Sequence, residues 1–224
     1  MTLPPEEIIQ RRVALELRAG TLVNLGIGLP TGVSKYIDPA LGILFQSENG
    51  IVGMDSRPPE GMEDEELTDA GGGYISAVPG AATVDSCMSF GLIRGGHLDA
   101  TVLGGLQVDE KGHLANWVVP GKMVPGMGGA MDLVSGARRV IVAMQHTARG
   151  KAKIVPECTL PLTATRRVTL IVTDLAVIEP TEGGLVLLER APGVEVSEIV
   201  DATSAHLIIP DVVPEMAIWA LRPK

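Results

Sequence analysis

The feature that most constrains the fold is a series of short aliphatic runs bounded by turn residues. Residues 140–144 (VIVAM) and 168–173 (VTLIVT) are short, mainly aliphatic stretches without a charge. They are of strand length, and an apolar run of that length suits a strand buried on both faces. Such strands make up parallel sheets covered by helices. Residues 21–25, 43–46 and 100–103 read the same way. Aromatic residues are only 3% of a chain that is 46% hydrophobic, so aliphatic side chains must build the core. An all-β sandwich would lean more on aromatics.

Helical and turn signals separate the runs. Thr2 can cap a helix that Pro4, Pro5, Glu6 and Glu7 favour at its start and Gly20 ends. Residues 31–36 read as a short helix after the Gly26-Ile27-Gly28 turn. Thr83 or Asp85 opens another that continues through Ile93, and Ala130 and Ser197 begin two more. Residues 107–115 and 177–188 read as hairpins, and residues 57–73, rich in Pro, Gly and acids, as a surface loop. The pattern predicts an α/β fold, a sheet with a parallel core flanked by helices, in a single domain over residues 1–224.

The net charge of −9 argues against nucleic acid as the main partner, because neutralising phosphates needs a basic footprint. The first twenty residues mix acids and arginines into their apolar positions, unlike a signal peptide, and no run approaches the ~18 apolar residues of a membrane span. The expectation is a cytoplasmic protein without a membrane partner. Cys87 and Cys158 lack metal or redox spacing and read as two thiols, with a structural disulfide as the alternative.

Glu48 follows a predicted buried strand and precedes Asn49-Gly50. Open α/β sheets bind ligands outside the carboxyl ends of their strands. By position alone, Glu48 is either a turn-capping residue or a reactive carboxylate. The Gly26–Gly28 and Gly126–Gly129 segments are either tight turns or cradles whose amides face an anion. Neither matches a P-loop or a full dinucleotide fingerprint. His97, His113, His146 and His206 lack metal-ligand spacing, and Ser76, Ser86 and Ser89 sit in no GxSxG elbow. Arg138, Arg139, Arg149, Lys151 and Lys153 either meet an anionic cofactor or are solvated surface charges.

Taken together, the segments NLGIGLPT (24–31), SENGIVGM (47–54), SFGLIRGGHLDATVLGGLQVDEKGHLANWVVPGKM (89–123) and PGMGGAMDLV (125–134) resemble the β subunit of family I CoA-transferases. The resemblance runs from about residue 6 to 178. It implies a CoA-transferase/sugar-phosphate isomerase-like fold and a 3-oxoacid CoA-transferase activity that moves CoA between acetoacetate and acetate or butyrate. It further implies that Glu48 is the nucleophile and passes through a glutamyl-CoA thioester. Asn24 and the amides of Gly128 and Gly129 would face the oxyanion or thioester. Asn49 and Gly72 would contact substrate. Gly72 stands where members using succinyl-CoA often carry a lysine, which favours monocarboxylates. The resemblance implies no permanently bound cofactor, with coenzyme A as a substrate. It also implies an α subunit as partner, in an α2β2 or larger assembly. The rival readings are a sugar-phosphate isomerase, a binding-only subunit and an acyl-CoA hydrolase.

Overall fold

The computed structural model describes residues 3–121 and 126–218. One ten-stranded sheet organises it. Numbered in chain order, its strands are β1 (Leu22–Leu25), β2 (Leu44–Ser47), β3 (Ile51–Met54), β4 (Ala77–Thr83) and β5 (Ala100–Leu103). They continue with β6 (Arg139–Ala143), β7 (Leu170–Val172), β8 (Ala176–Thr181), β9 (Gly184–Arg190) and β10 (Leu207–Ile208). Their spatial order is β10-β9-β8-β7-β6-β5-β1-β2-β3-β4. The centre, β7-β6-β5-β1-β2, is parallel throughout. Antiparallel pairs extend it on both sides, β2 with β3 and β3 with β4, β7 with β8 and β8 with β9.

Alternation along the central strands feeds two apolar layers. Val140 and Val142 point into a cluster with Ile93 of helix α2 (Ser86–Arg94), Leu133 and Val134 of α3 (Ala130–Gly136) and Ile199 of α4 (Val196–Ala202). Ile141 and Ala143 point the other way, against Ile9 and Val13 of α1 (Pro5–Ala14) and Val33 of the 3-10 helix Leu29–Tyr36. Each fully buried aliphatic side chain contributes roughly 1.5–3 kcal/mol of transfer free energy. The continuous apolar runs therefore mark the strands that are covered on both faces.

Several boundaries differ from expectation. Thr2 lies outside the described residues, and Pro4 occupies the N-cap of α1 without a side-chain cap. That helix ends at Ala14, well before Gly20, and the chain tightens through Glu16 N–H to Val13 O and Leu17 N–H to Ala14 O. Arg139, at the start of β6, donates to the Glu16 carbonyl at 2.9 Å, so a tertiary donor takes the place of a further helical turn. The segment expected as a helix over 31–36 is a 3-10 helix that begins at Leu29. Strands β3 and β4 were not anticipated. Among the described residues, no helix is long and apolar enough to cross a membrane.

From β1 the chain steps sideways to β2, then returns through β3, β4 and α2 to β5 on the other side of β1. This reversal creates a crevice at the carboxyl ends of β1, β2 and β5, where open α/β sheets bind ligands. Asn24 and Ser47 stand at those ends.

Candidate active site

Strand β2 leaves the sheet at Ser47 and turns through Glu48, Asn49 and Gly50 into β3, with Ser47 paired to Ile51. Gly50 has φ +130°, and a Cβ there would run into the Val84 carbonyl oxygen. Only glycine fits. Its N–H donates to Ser47 O at 3.0 Å and its carbonyl accepts from Val84 N–H at 2.8 Å, which fixes the turn carrying Glu48.

Behind the turn lies a buried polar network. Asn24 is fully buried, and its Nδ2 donates to Glu48 Oε2 at 3.1 Å and to Gln46 Oε1 at 2.9 Å. Thr101 Oγ1 donates to Asn24 Oδ1 at 3.3 Å. Gln46 Nε2 donates to Ser89 Oγ at 3.0 Å, and Ser89 Oγ donates to the Glu48 carbonyl at 2.8 Å. One connected set of hydrogen bonds from β1, β2, β5 and α2 therefore holds both the carboxylate and the backbone of Glu48. Such satisfied networks rigidify a site. Among the described residues, no buried side-chain nitrogen or oxygen lacks a partner.

The glycine loop closes another side. Gly129 is buried, and a Cβ on it would lie 3.1 Å from Glu48 Cγ and 3.3 Å from Oε1. Gly128 is exposed with φ +55°, and nothing lies within 4 Å of its would-be Cβ. Residues 122–125 of the same loop lie outside the described residues. Asn49 donates from Nδ2 to Thr68 O at 2.7 Å. On the opposite flank Ala70 N–H donates to Ser47 Oγ at 2.9 Å. The 57–73 loop is thus tied to the Glu48 turn on both sides. A shallow cleft remains, with Leu25, Ile27 and Met54 as apolar walls and Glu48 and Asp69 as its acids. Its lining ends at Gly71, so Asn24, Glu48 and Gly129 come together while Gly72 stands outside.

A larger cavity, of about 260 Å³, lies at the opposite, amino end of the strands. It is lined by Glu16, Arg18, Asp99, Arg138 and Arg139 among others, but ion pairs take up most of its charge. Arg138 meets Asp99 at 2.8 Å, and Glu16 receives Arg139 at 2.6 Å and Arg12 at 2.8 Å. Burial works to raise the Glu16 carboxyl, but hydrogen bonds from Arg139 and Arg12 outweigh it and hold it below the usual carboxylate range. Arg138 and Arg139 therefore serve the fold at the end of the sheet away from Glu48.

The remaining candidates are structural or solvated. His146 is buried, with a ring nitrogen 2.9 Å from each of Thr173 Oγ1 and Thr203 Oγ1, and burial pushes its pKa down to about 4. His113 pairs with Asp109 at 3.1 Å, while His97 and His206 are exposed. Cys87 and Cys158 are both free thiols, and burial pushes Cys158 up to about 12. No metal-holding cluster of His, Cys, Asp or Glu occurs among the described residues. Gln46, Ser89 and Asp69 escaped the sequence reading as site residues. Gln46 alone carried a signal, a polar side chain in an otherwise apolar strand, two residues before Glu48.

Residues 6–202 match the family model for Coenzyme A transferase. The chain is 53% identical over 214 residues to the beta subunit of the acetate CoA-transferase of Haemophilus influenzae, covering 95% of this chain and 96% of that one. It is 47% identical over 201 residues to the B subunit of the succinyl-CoA:3-ketoacid coenzyme A transferase of Helicobacter pylori, with 89% and 97% covered. A crystal structure of an acyl-CoA transferase from Escherichia coli O157:H7 superposes with a TM-score of 0.78 at 23% identity, covering 97% of this chain and 44% of that one. At that identity the superposition speaks for the fold. The family model and the near full-length relatives go further, and place the chain in the coenzyme A transferase family among its beta, or B, subunits.

Proposed function

We propose that this chain is the catalytic β subunit of a 3-oxoacid CoA-transferase, moving CoA between acetoacetate and a short-chain carboxylate such as acetate or butyrate, with Glu48 as nucleophile. The observation that carries the proposal is the Glu48 carboxylate at the carboxyl edge of the sheet. It is half-buried, held at Oε2 by a fully buried Asn24, and approached by a glycine with no side chain between them.

The exchange divides into four displacements at carbonyl carbon. A Glu48 oxygen attacks the thioester of acyl-CoA, the C–S bond breaks, and CoA leaves as thiolate beside an acyl-glutamyl anhydride. The thiolate attacks the glutamyl carbonyl and expels the first carboxylate, leaving a glutamyl-CoA thioester. A second carboxylate attacks that thioester and releases the thiolate again. The thiolate then takes the acyl carbonyl of the new anhydride, giving the new acyl-CoA and free Glu48. No proton or electron is consumed, so CoA enters as a substrate and these steps call for no further cofactor.

Every displacement gathers negative charge on a carbonyl oxygen. Asn24 Nδ2, already donating to the Glu48 carboxylate, is in place to follow that charge. Gly129, at the N-cap of α3, leaves room for the tetrahedral centre and offers an amide with Gly128. Removing one such donor typically costs about 2.7–4 kcal/mol of barrier. Asn49 acts by anchoring the 57–73 loop.

The fold alone does not choose a reaction. Support for the partner comes from the names of the relatives, both of them subunits, and from the E. coli transferase, of which this chain spans less than half. We therefore assign an α subunit, in an α2β2 or larger assembly, to complete the site and contribute cations that CoA phosphates require.

The test is exchange in the purified complex with the partner subunit. Acetoacetyl-CoA and isotopically labelled acetate should yield labelled acetyl-CoA, with neither chain alone approaching that rate. Release of CoA without labelled acetyl-CoA would contradict the proposal.

A further inference from the structure

We propose that Asp69 makes the cleft over Glu48 selective for acyl groups that carry no second charge. The inference rests on Glu48 being the residue that is acylated, and it names what that residue accepts.

Asp69 sits at the head of a closed turn. Its Oδ1 accepts from Gly71 N–H at 2.8 Å and from Gly73 N–H at 2.9 Å, while Gly72 N–H returns to Asp69 O at 3.0 Å. Thr68 and Tyr74 bridge across the base of this turn. The residues on either side of Asp69 are bound to the residues on either side of Glu48. Asn49 Nδ2 donates to Thr68 O at 2.7 Å, and Ala70 N–H donates to Ser47 Oγ at 2.9 Å. These two bonds tie the Asp69 turn to the Glu48 turn, and both carboxylates line the same cleft.

The cleft between them has apolar walls from Leu25, Ile27 and Met54 and, among the described residues, no cationic lining. An acetyl or butyryl group places only methyl and methylene groups there, and an acetoacetyl group adds a neutral ketone. A succinyl group would bring a distal carboxylate into the same space, against Asp69. Like charges at close range repel. Selectivity of this kind works by penalising the wrong ligand. The penalty is roughly tenfold or more in relative use.

The measurement is an internal competition. The complex with its partner subunit receives acetoacetyl-CoA and equal concentrations of acetate and succinate, and the ratio of succinyl-CoA to acetyl-CoA formed is read by mass spectrometry. Asp69→Asn keeps an oxygen for the Gly71 and Gly73 amides, and with it the turn, while removing the charge. Its succinyl-to-acetyl ratio is expected to rise about tenfold over the unaltered enzyme, chiefly through a lower KM for succinate. Added salt should narrow the difference between the two enzymes. A rise of less than threefold overturns the role of Asp69, and so does an unaltered enzyme that prefers succinate. Mapping the acyl or CoA adduct in the same samples keeps the two readings apart. An adduct on Glu48 with an unchanged ratio removes the role of Asp69 alone, whereas an adduct elsewhere removes both.

Discussion

The two ends of the central parallel strands carry polar side chains in opposite arrangements. At the amino end, Arg12, Arg139 and Arg138 meet Glu16 and Asp99, and the larger cavity lies among charges that largely cancel. At the carboxyl end, two acids, Glu48 and Asp69, line a smaller cleft without a cation among the described residues, and neutral groups hold both. Paired charges at the first end lock α1 to β6 and have little capacity left for a ligand. The acids at the second end meet amides and no cation among the described residues. Cavity size and charge compensation therefore rank the two ends in opposite orders, and the proposal for Glu48 follows charge compensation.

The strongest way to break this comparison is to exchange what each end loses. Glu48→Gln is near-isosteric and removes the anionic nucleophile. Exchange in the assembled enzyme should fall by at least about 10⁴-fold, because the covalent route itself is gone, while the thermal midpoint stays close to that of the unaltered protein. A variant retaining a tenth of the activity would remove the distinction between the ends.

Next in size is a pH effect that separates mere burial at the carboxyl end from reactivity there. The folded pKa of His146 is lowered to about 4 against an ordinary 6.5, chiefly by burial. The unfolded chain therefore takes up a proton between those values that the folded chain refuses. The contribution of His146 is fully present above pH 6.5 and is lost as pH falls toward 4, by on the order of 3 kcal/mol. Urea titrations across that window should show the decline. His146→Gln, which retains polar atoms for Thr173 and Thr203, should flatten it, and an unchanged slope would rule out His146 as its source.

At the amino end, Glu16→Ala removes the carboxylate that Arg139 meets, while Arg12 keeps its bidentate pair with Glu189, and should destabilise the fold by about 2 kcal/mol, below the roughly 3–5 kcal/mol of a fully buried pair because Glu16 is partly exposed. Exchange kinetics at a temperature where the variant is folded should stay within twofold. A kinetic loss larger than the stability loss would mean that the amino end takes part in function.

The smallest effect belongs to Ser89→Ala. It removes the donor to the Glu48 carbonyl and the acceptor for Gln46 Nε2. A loss of about 1 kcal/mol at the transition state corresponds to a kcat roughly five- to tenfold lower with KM little changed. An equal rise in KM instead would mark Ser89 as part of substrate binding.

How much of this was legible before the structure depends on the element. The aliphatic runs located β5, β6 and β7 because strands covered on both faces are apolar at nearly every position, with Thr101 in β5 and Arg139 at the start of β6 as the polar members. β4 was invisible for the opposite reason. It is an edge strand of small, largely exposed residues with Pro79 and Gly80 inside it, which only an edge tolerates. The end of α1 was misplaced because a tertiary donor, Arg139, decides it. Glu48 was legible as a carboxylate after a buried strand and beside a glycine that the turn requires. Ser89 and Asp69 were not, since their roles arise from side chains and backbone groups far along the chain that meet only in the fold. The family resemblance was legible throughout, and the family model and the relatives bear it out.

The central claim is that Glu48 carries first the acyl group and then CoA, and trapping tests it most directly. The complex with its partner subunit is exposed to acetoacetyl-CoA, treated with borohydride, digested and mapped by mass spectrometry. The account predicts reduction of the glutamyl thioester to the alcohol on the peptide containing Glu48, with a CoA adduct on the same peptide when borohydride is omitted, and neither mark in Glu48→Gln. A mark on another acid, such as Glu157 or Glu182, or full turnover with no mark at Glu48, would contradict it.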